Sequence, residues 1–314
     1  MSVYSGMALQ PIRRIAIVGF GEAGGIFGND FARQGFEVSA FDILLNSRGD
    51  RVKMLSKART SGVRAARDLK SCLQDVDLVI SAVTASSCLQ VAKSARPLLG
   101  RGQTFLDINS VSPQTKRKAA AFIQSGKGRF LEAAVMAAVP GQRLKVPMFL
   151  AGPHVAEEAD RLREIGMNPT ALSGEIGVAS AVKMCRSVMI KGIEALTVEC
   201  LFAARRYGAE QAVLQSLAAT YPNMKWTGGL PDYLISRVAE HGMRRAAEMK
   251  EVGAALQDVG VEPAMALATA GRQAKLIREM AARKIDYDAG KKFVWQELAD
   301  ALHHKRRQTR RKPS

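Results

Sequence analysis

Cysteine is scarce. Cys72, Cys88, Cys185 and Cys200 are scattered over 314 residues, which is no disulfide frame. No CxxC pair occurs and no histidine stands at ligand spacing from them, so no metal site is expected. They read as small apolar residues of a chain kept in a reducing cytoplasm. Aromatic residues make up only 6%, without RNP-type aromatics, a helix-turn-helix pattern or a zinc finger. No apolar run approaches the roughly 18 residues of a membrane span. Residues 1–10 lack a basic segment followed by an apolar one, which argues against a secretory signal. Acidic residues are also few, 29 against 46 Lys and Arg, giving a net charge of +17. Six of those cations crowd into the run His303-His304-Lys305-Arg306-Arg307-Gln308-Thr309-Arg310-Arg311-Lys312, and without them the rest keeps +11. A terminal run of this kind reads as a disordered, solvated tail, not a nucleic-acid arm. A broadly basic surface also steers anionic small molecules. Neither a membrane nor a nucleic acid is the expected partner.

What is present points elsewhere. A 47% hydrophobic content suffices for one large core or two medium ones. Residues 15–18 form a short apolar strand that runs into Gly19-Phe20-Gly21-Glu22-Ala23-Gly24, and residues 25–34 continue as a helix. A second strand over 36–41 ends on Asp42, 18 residues beyond Gly24. Each part has a task in holding a dinucleotide. Gly19 makes the tight turn, Gly21 lets backbone approach a pyrophosphate, and Gly24 lets helix and strand pack closely. The helix N-terminus presents N–H groups and a partial positive charge to the phosphates. Asp42 would accept from the ribose hydroxyls and repel a 2′-phosphate. The expected cofactor is therefore NAD rather than NADP, with Arg48 or Arg51 taking the phosphate if that expectation fails.

From residue 12 to about 172 short strands alternate with helices, which implies a mostly parallel, doubly wound sheet covered on both faces. Strands are expected at 63–66, 77–82, 104–107, 130–135, 148–151 and 168–172. Pro113 opens a helix at the position proline favours. Beyond Ser173 the strand signals vanish. Helices are expected over 178–207, 209–220, 231–259, 263–283 and 288–303. The predicted organisation is an N-terminal tail (1–11), an α/β Rossmann domain (12–173), an all-α C-terminal domain (174–302) and a basic tail (303–314). The helix from Val178 carries Val182, Met184, Val188, Ile193, Leu196 and Leu201 on nearly every face, as a helix covered on all sides would.

Four motifs together resemble the β-hydroxyacid dehydrogenases, the superfamily of 6-phosphogluconate and 3-hydroxyisobutyrate dehydrogenases. They are the 19–24 glycine motif, Ser81-Ala82-Val83-Thr84, Asp107-Ile108-Asn109-Ser110-Val111-Ser112-Pro113, and Gly174-Glu175-Ile176-Gly177-Val178-Ala179-Ser180-Ala181-Val182-Lys183. The resemblance spans nearly the whole chain. The run Arg244-Arg245-Ala246-Ala247-Glu248-Met249-Lys250-Glu251-Val252 looks like a branch whose divergent C-terminal domain has no settled function. The resemblance implies that Ala82, Val83, Thr84 and Asn109 join the glycine motif and Asp42 around the cofactor. It also places the essential lysine at Lys183. A lysine on a mostly apolar helix either snorkels to water or serves a site. Partial burial lowers an amine's pKa, the direction that general acid–base work needs.

The departures bear on substrate. Relatives hold substrate with an Asn three or four positions after the lysine, where this chain has Arg186 and Ser187. Relatives also carry Ser-Gly-Gly after the sixth strand, where this chain reads Glu132-Ala133-Ala134-Val135-Met136-Ala137-Ala138. The substrate side, with Ser110, Ala134 and Met136, is thus more apolar. Lys183, Arg186, Ser187 and Lys191 share one helix face, and His241, Arg244, Arg245 and Glu248 form a polar face on a later helix. A guanidinium among these would grip a carboxylate or phosphate, with His241 as second proton-transfer candidate. The expected activity is hydride transfer between NAD and the hydroxyl or carbonyl carbon of a small, anionic or hydroxy-acid-like molecule. The alternatives are an imine reductase on the same scaffold and a non-catalytic NAD-binding or nucleic-acid-associated protein. A homodimer through the helical domain is expected.

Overall fold

The computed structural model of the protein describes residues 11–303. Contacts divide the chain at Met184/Cys185 into two units. In the first, eight strands form one sheet: β1 (Arg14–Val18), β2 (Glu37–Phe41), β3 (Arg64–Ala65), β4 (Leu78–Ser81), β5 (Thr104–Asp107), β6 (Arg129–Val135), β7 (Pro147–Ala151) and β8 (Asn168–Ser173). Their spatial order is β3-β2-β1-β4-β5-β6-β7-β8. All neighbours run parallel except β6 and β7. β4 and β5 are buried throughout and β1 beyond Arg14, which is why they read as apolar runs.

Helices α1 (Glu22–Arg33), α2 (Arg51–Thr60), α3 (Leu69–Leu73), α4 (Cys88–Ala95), α5 (Pro113–Gln124), α6 (Val139–Gln142) and α7 (Val155–Glu164) connect the strands. Two apolar cores result. One gathers Ile15, Ile17, Phe27, Phe31, Leu78 and Leu150; the other gathers Val79, Cys88, Ala92, Phe105, Ile123 and Phe130. Cys72 and Cys88 are core residues, whereas Cys185 and Cys200 are exposed. Burial pushes the Cys72 thiol up to about 11 and the Cys88 thiol to about 12, so neither is a reactive thiolate.

Helix α8 (Val178–Arg206) begins in the first unit and continues into the second. It is followed by α9 (Glu210–Thr220), α10 (Leu230–Gln257), α11 (Ala264–Ala282) and α12 (Trp295–His303). The last helix starts seven residues later than its pattern suggests: Asp288 instead caps a turn by accepting from Gly290 N–H at 2.9 Å. The core of this unit joins Val198, Leu201, Ile235, Val238, Leu276, Trp295 and Leu302. Helices α10 and α11 pack antiparallel at very short range, because a side chain at Gly242 would meet Ile277 at 2.7 Å. Within one chain α8 is not covered on every side: Met189 is 64% and Leu196 56% exposed. The tail from residue 304 onward lies outside the described residues.

Candidate functional site

The sheet order changes direction between β1 and β4, and a ligand crevice opens at the carboxyl ends of the strands on either side of such a point. Glycine-rich turn, Asp42, the 82–84 segment and Asn109 all follow those strand ends. Gly19 has φ +90°, and a Cβ there would stand 2.4 Å from the Ala82 carbonyl. A Cβ on Gly24 would stand 2.0 Å from the Gly19 carbonyl and 3.0 Å from Ile17. Both glycines are dictated by packing within the chain. Gly21 is different, since nothing lies within 4 Å of its missing side chain. Crowding inside the protein does not ask for glycine there; room for an approaching group does. Gly21 is also the N-cap of α1, so the N–H groups of Glu22, Ala23 and Gly24 lack intrahelical acceptors. This is a cradle that fits a pyrophosphate.

Asp42 closes the other side. Its Oδ2 accepts from Phe20 N–H at 2.7 Å and its Oδ1 from Leu44 N–H at 3.0 Å. Each carboxylate oxygen keeps a lone pair beyond those bonds, which suits it to ribose hydroxyls. On β4 and β5 a buried polar cluster sets the remaining loop. Asn109 Oδ1 accepts from Val83 N–H at 2.7 Å, and its Nδ2 donates to Ser81 Oγ at 3.0 Å. Asp107 accepts from Asn109 N–H at 2.9 Å and pairs with Lys116 Nζ at 3.1 Å. Lys116 also donates to the Asp107 carbonyl at 2.7 Å. Both charges are essentially sealed from solvent, at 0% and 1% exposure. Asn109 thus acts by fixing the Val83 backbone, and Ser110 beside it is exposed.

The start of α8 is held by a carboxylate. Glu132 is fully buried on β6 and accepts from Ser180 N–H at 2.6 Å and from Gly177 N–H. Negative charge at a helix N-terminus is the favourable arrangement. It fixes the first turn of the helix on which Lys183 stands, half-buried, in the second. Ala134 packs into a small cluster with Ala151 and Ala179, with Met136 at its edge. Ala134 is 3% exposed and packs within that cluster.

In the helical unit the expected anion-gripping residues of α10 are already engaged. Arg245 pairs with the buried Glu194, and Arg244 pairs with Glu248. Lys191 bonds Glu248 at 2.8 Å. His241 lies 3.3 Å from Glu240 and lines a groove with Ile277, Met280 and Tyr287. Burial, then the positive field of Arg237, hold its pKa below the ordinary histidine value. Arg186 is exposed and Ser187 half-buried, five and four residues before Lys191 on the same helix. Arg245 is thus a helix-to-helix tie, since a cation neutralised inside a core has no spare charge for a substrate.

Sequence reasoning missed three residues. Lys116 occupies the buried stripe Lys116, Ala119, Ala120, Ile123 of α5, so a lysine at a core position was the available signal. Glu132 stands alone in an apolar strand, a signal of the same kind. Lys57, from α2, donates to the carbonyls of Phe20 at 2.7 Å and Gly21 at 2.6 Å. Nothing local in the sequence announces it.

Comparison with known proteins fits this geometry. The profile of the NAD binding domain of 6-phosphogluconate dehydrogenase matches residues 14–165, and a domain of unknown function, DUF1932, matches residues 204–276. The crystal structure of a conserved hypothetical protein from Sinorhizobium meliloti 1021 is 35% identical, covering 96% of this chain and 98% of that one, with a TM-score of 0.79. The chain belongs to the 6-phosphogluconate dehydrogenase-like NAD-binding family with a DUF1932 C-terminal domain. A second solved relative is a conserved protein of unknown function described as structurally similar to 3-hydroxyacid dehydrogenases. It is 31% identical over 83% of this chain and 97% of that one, with a TM-score of 0.70. The 3-hydroxyisobutyrate dehydrogenase of Pseudomonas aeruginosa is 24% identical over 77% of this chain and 84% of its own length. The DUF1932 match falls within the helical unit and covers His241, Arg244, Arg245 and Glu248. Among the described residues no helix is long and apolar enough to cross a membrane.

Proposed function

We propose that this family member is a cytoplasmic, NAD-dependent oxidoreductase acting on the hydroxyl or carbonyl carbon of a small, anionic or hydroxy-acid-like molecule. The observation that carries the reading is Lys183, placed in the second turn of a helix whose first turn is pinned by buried Glu132. Bound NAD supplies hydride exchange at the nicotinamide. The N–H groups of Gly21, Glu22, Ala23 and Gly24 would hold the pyrophosphate, Asp42 would hold the adenosine ribose, and Val83, fixed by Asn109, would line the crevice. Lys183 Nζ exchanges the proton of the substrate oxygen as that oxygen changes between hydroxyl and carbonyl, and its charged form stabilises negative charge on it. Arg186 and Ser187, one turn further along the same helix, are the substrate-orienting groups.

The substrate side lacks the Ser-Gly-Gly of relatives, and Met136-Ala137-Ala138 supplies only apolar surface and backbone there. That favours a substrate with an apolar group near the carbon attacked. The test is a panel of hydroxy acids, sugar acids, ketones and cyclic imines, monitored by NADH formation or consumption. Turnover of hydroxy acids that vanishes in Lys183→Ala supports the reading; turnover confined to imines overturns it in favour of a C=N reductase.

The same reading includes a homodimer through the helical unit. Met189, Ile190 and Leu196 on α8, Met243 on α10 and Met265 on α11 are large apolar residues left exposed on one chain. Light scattering at micromolar concentration that returns a monomer overturns this part.

A further inference from the structure

The phosphate-binding turn has a cation behind it. Lys57 comes from the second helix, yet its Nζ donates simultaneously to two successive carbonyls, Phe20 O at 2.7 Å and Gly21 O at 2.6 Å. It also lies 5.1 Å from the centre of the Phe20 ring. Those two carbonyls belong to the peptides whose N–H groups are Gly21 and Glu22. In a trans peptide the N–H points opposite to the C=O. A positive charge on the carbonyl side therefore polarises the N–H on the far side, the side that α1 presents to an anion. Hydrogen-bonded chains strengthen one another in this way, and bonds involving an ionised donor are the stronger ones.

A second observation shows that room is kept for this lysine. A Cβ on Gly25 would stand 2.7 Å from both Cε and Nζ of Lys57. Gly25 is helical, where alanine is the better helix former by about 1 kcal/mol. Its φ is not in the left-handed region, so backbone conformation does not demand glycine. The space it leaves is filled by the ammonium group of Lys57.

We propose that Lys57 is a positioning residue of cofactor binding, charging the glycine-rich turn from behind so that the Gly21 and Glu22 N–H groups bind a pyrophosphate more tightly. It touches no cofactor itself. Its effect should fall on ligands that carry the pyrophosphate and leave the nucleoside part alone. This rests on the dinucleotide-binding reading of the turn, which the wild-type chain tests separately.

The experiment titrates the full chain with NADH, by fluorescence, and displaces it with ADP-ribose or adenosine. Lys57→Met should weaken ADP-ribose by roughly tenfold and adenosine by less than twofold, with Lys57→Arg in between. Gly25→Ala, which favours the helix while displacing the ammonium, should show the same selective loss. Adding Lys57→Met to Gly25→Ala should then cost little more, because both remove one interaction. Equal loss of ADP-ribose and adenosine would make Lys57 a general prop for the turn and overturn the inference. So would ADP-ribose affinity within twofold of wild type in both single variants. A wild-type chain that binds neither ADP-ribose nor NADH would overturn the cofactor reading together with it.

Discussion

Each unit buries charge, and apart from the Glu158–Arg161 pair, which bonds Thr104, the NAD-binding unit turns its buried charge on backbone. In the NAD-binding unit the pair Asp107–Lys116 and the carboxylate of Glu132 end on backbone, at Asn109 N–H, the Asp107 carbonyl, and the N–H groups of Gly177 and Ser180. They set the shape of segments that follow strand ends. In the helical unit Glu194–Arg245 and Lys191–Glu248 tie α8 to α10, and Arg205 ties α8 to Glu210 of α9 and Asp300 of α12. These join side chain to side chain across helices. The first arrangement spends buried charge on geometry that a ligand needs, and the second on the register of a bundle. The lesson is that a cluster of cations on one helix face is not by itself a binding site.

The comparison breaks most visibly at Arg245. Glu194 is 2% exposed, and burial raises its pKa above the ordinary carboxylate value although Arg245 opposes the shift. Removing one partner of such a pair leaves a charge in the core and costs about 3–5 kcal/mol. Arg245→Met should therefore lose stability on that scale at neutral pH. The sign with pH follows from the raised value. Folded Glu194 holds its proton more tightly than unfolded Glu194, so its contribution is best below the unfolded pKa and is lost as pH rises through the folded one. Losing Arg245 raises the folded value further. The cost of Arg245→Met should thus be small near pH 4 and grow towards pH 8, about four pH units across the carboxylate range. Urea unfolding of variant and wild type over that range measures it; a cost independent of pH would mean that Glu194 is not the group left uncompensated. Replacing both, as Glu194→Leu with Arg245→Leu, should recover most of the loss, because Arg245 Nε and Gln273 Oε1 are already buried without partners.

The next effect is catalytic. Lys183→Ala should leave NADH affinity within about twofold while lowering turnover roughly 100-fold, the usual scale for lost acid–base catalysis and worth about 2.7 kcal/mol. Near wild-type turnover would move the proton-transfer role elsewhere, with His241 the first residue to test. Here the comparison sharpens: if chemistry depended on the α10 cations instead, Arg244→Ala would show the larger loss.

The two kinds of buried charge also differ in how far the sequence reveals them. Gly19, Gly21, Gly24 and Asp42 were legible because a nucleotide cradle is local: a strand, a turn and a helix within about 30 residues. The strand–helix alternation up to β8 was legible for the same reason. Lys116 and Glu132 break apolar patterns, so they were readable as anomalies though not as roles. Lys57 and the Glu194–Arg245 tie were not readable, since their partners lie 36 or 37 and 51 positions away and no periodicity connects them. Which side of α8 stays exposed on one chain was not readable, because an apolar residue in sequence does not say which chain will cover it. The late start of α12 was missed because the Asp288 turn is made by one side chain.

A smaller effect separates the cofactors. If Asp42 holds the adenosine ribose as proposed, its carboxylate would repel a 2′-phosphate, so NAD(H) should bind at least tenfold more tightly than NADP(H), about 1.4 kcal/mol or more. Calorimetry with both cofactors checks this. Equal affinities would show that a cation offsets Asp42, with Arg48 and Arg51, in and just after the loop that follows it, the residues to replace.

The smallest effect is expected from the basic tail. Leu302 is only 5% exposed and belongs to the helical core with Trp295 and Leu298. A truncation that removes it would cost packing, so the informative variant ends at His303. That chain should keep its oligomeric state, its unfolding midpoint and its NADH affinity, because it retains every described residue of the cofactor cradle and the bundle core. Its only change should be weaker adsorption to polyanions, since it has shed six cations. Light scattering and thermal unfolding of the truncated chain decide the point. A lost dimer or a lowered midpoint would show that the tail takes part in the helical unit, and that the charge there is not confined to ties between helices.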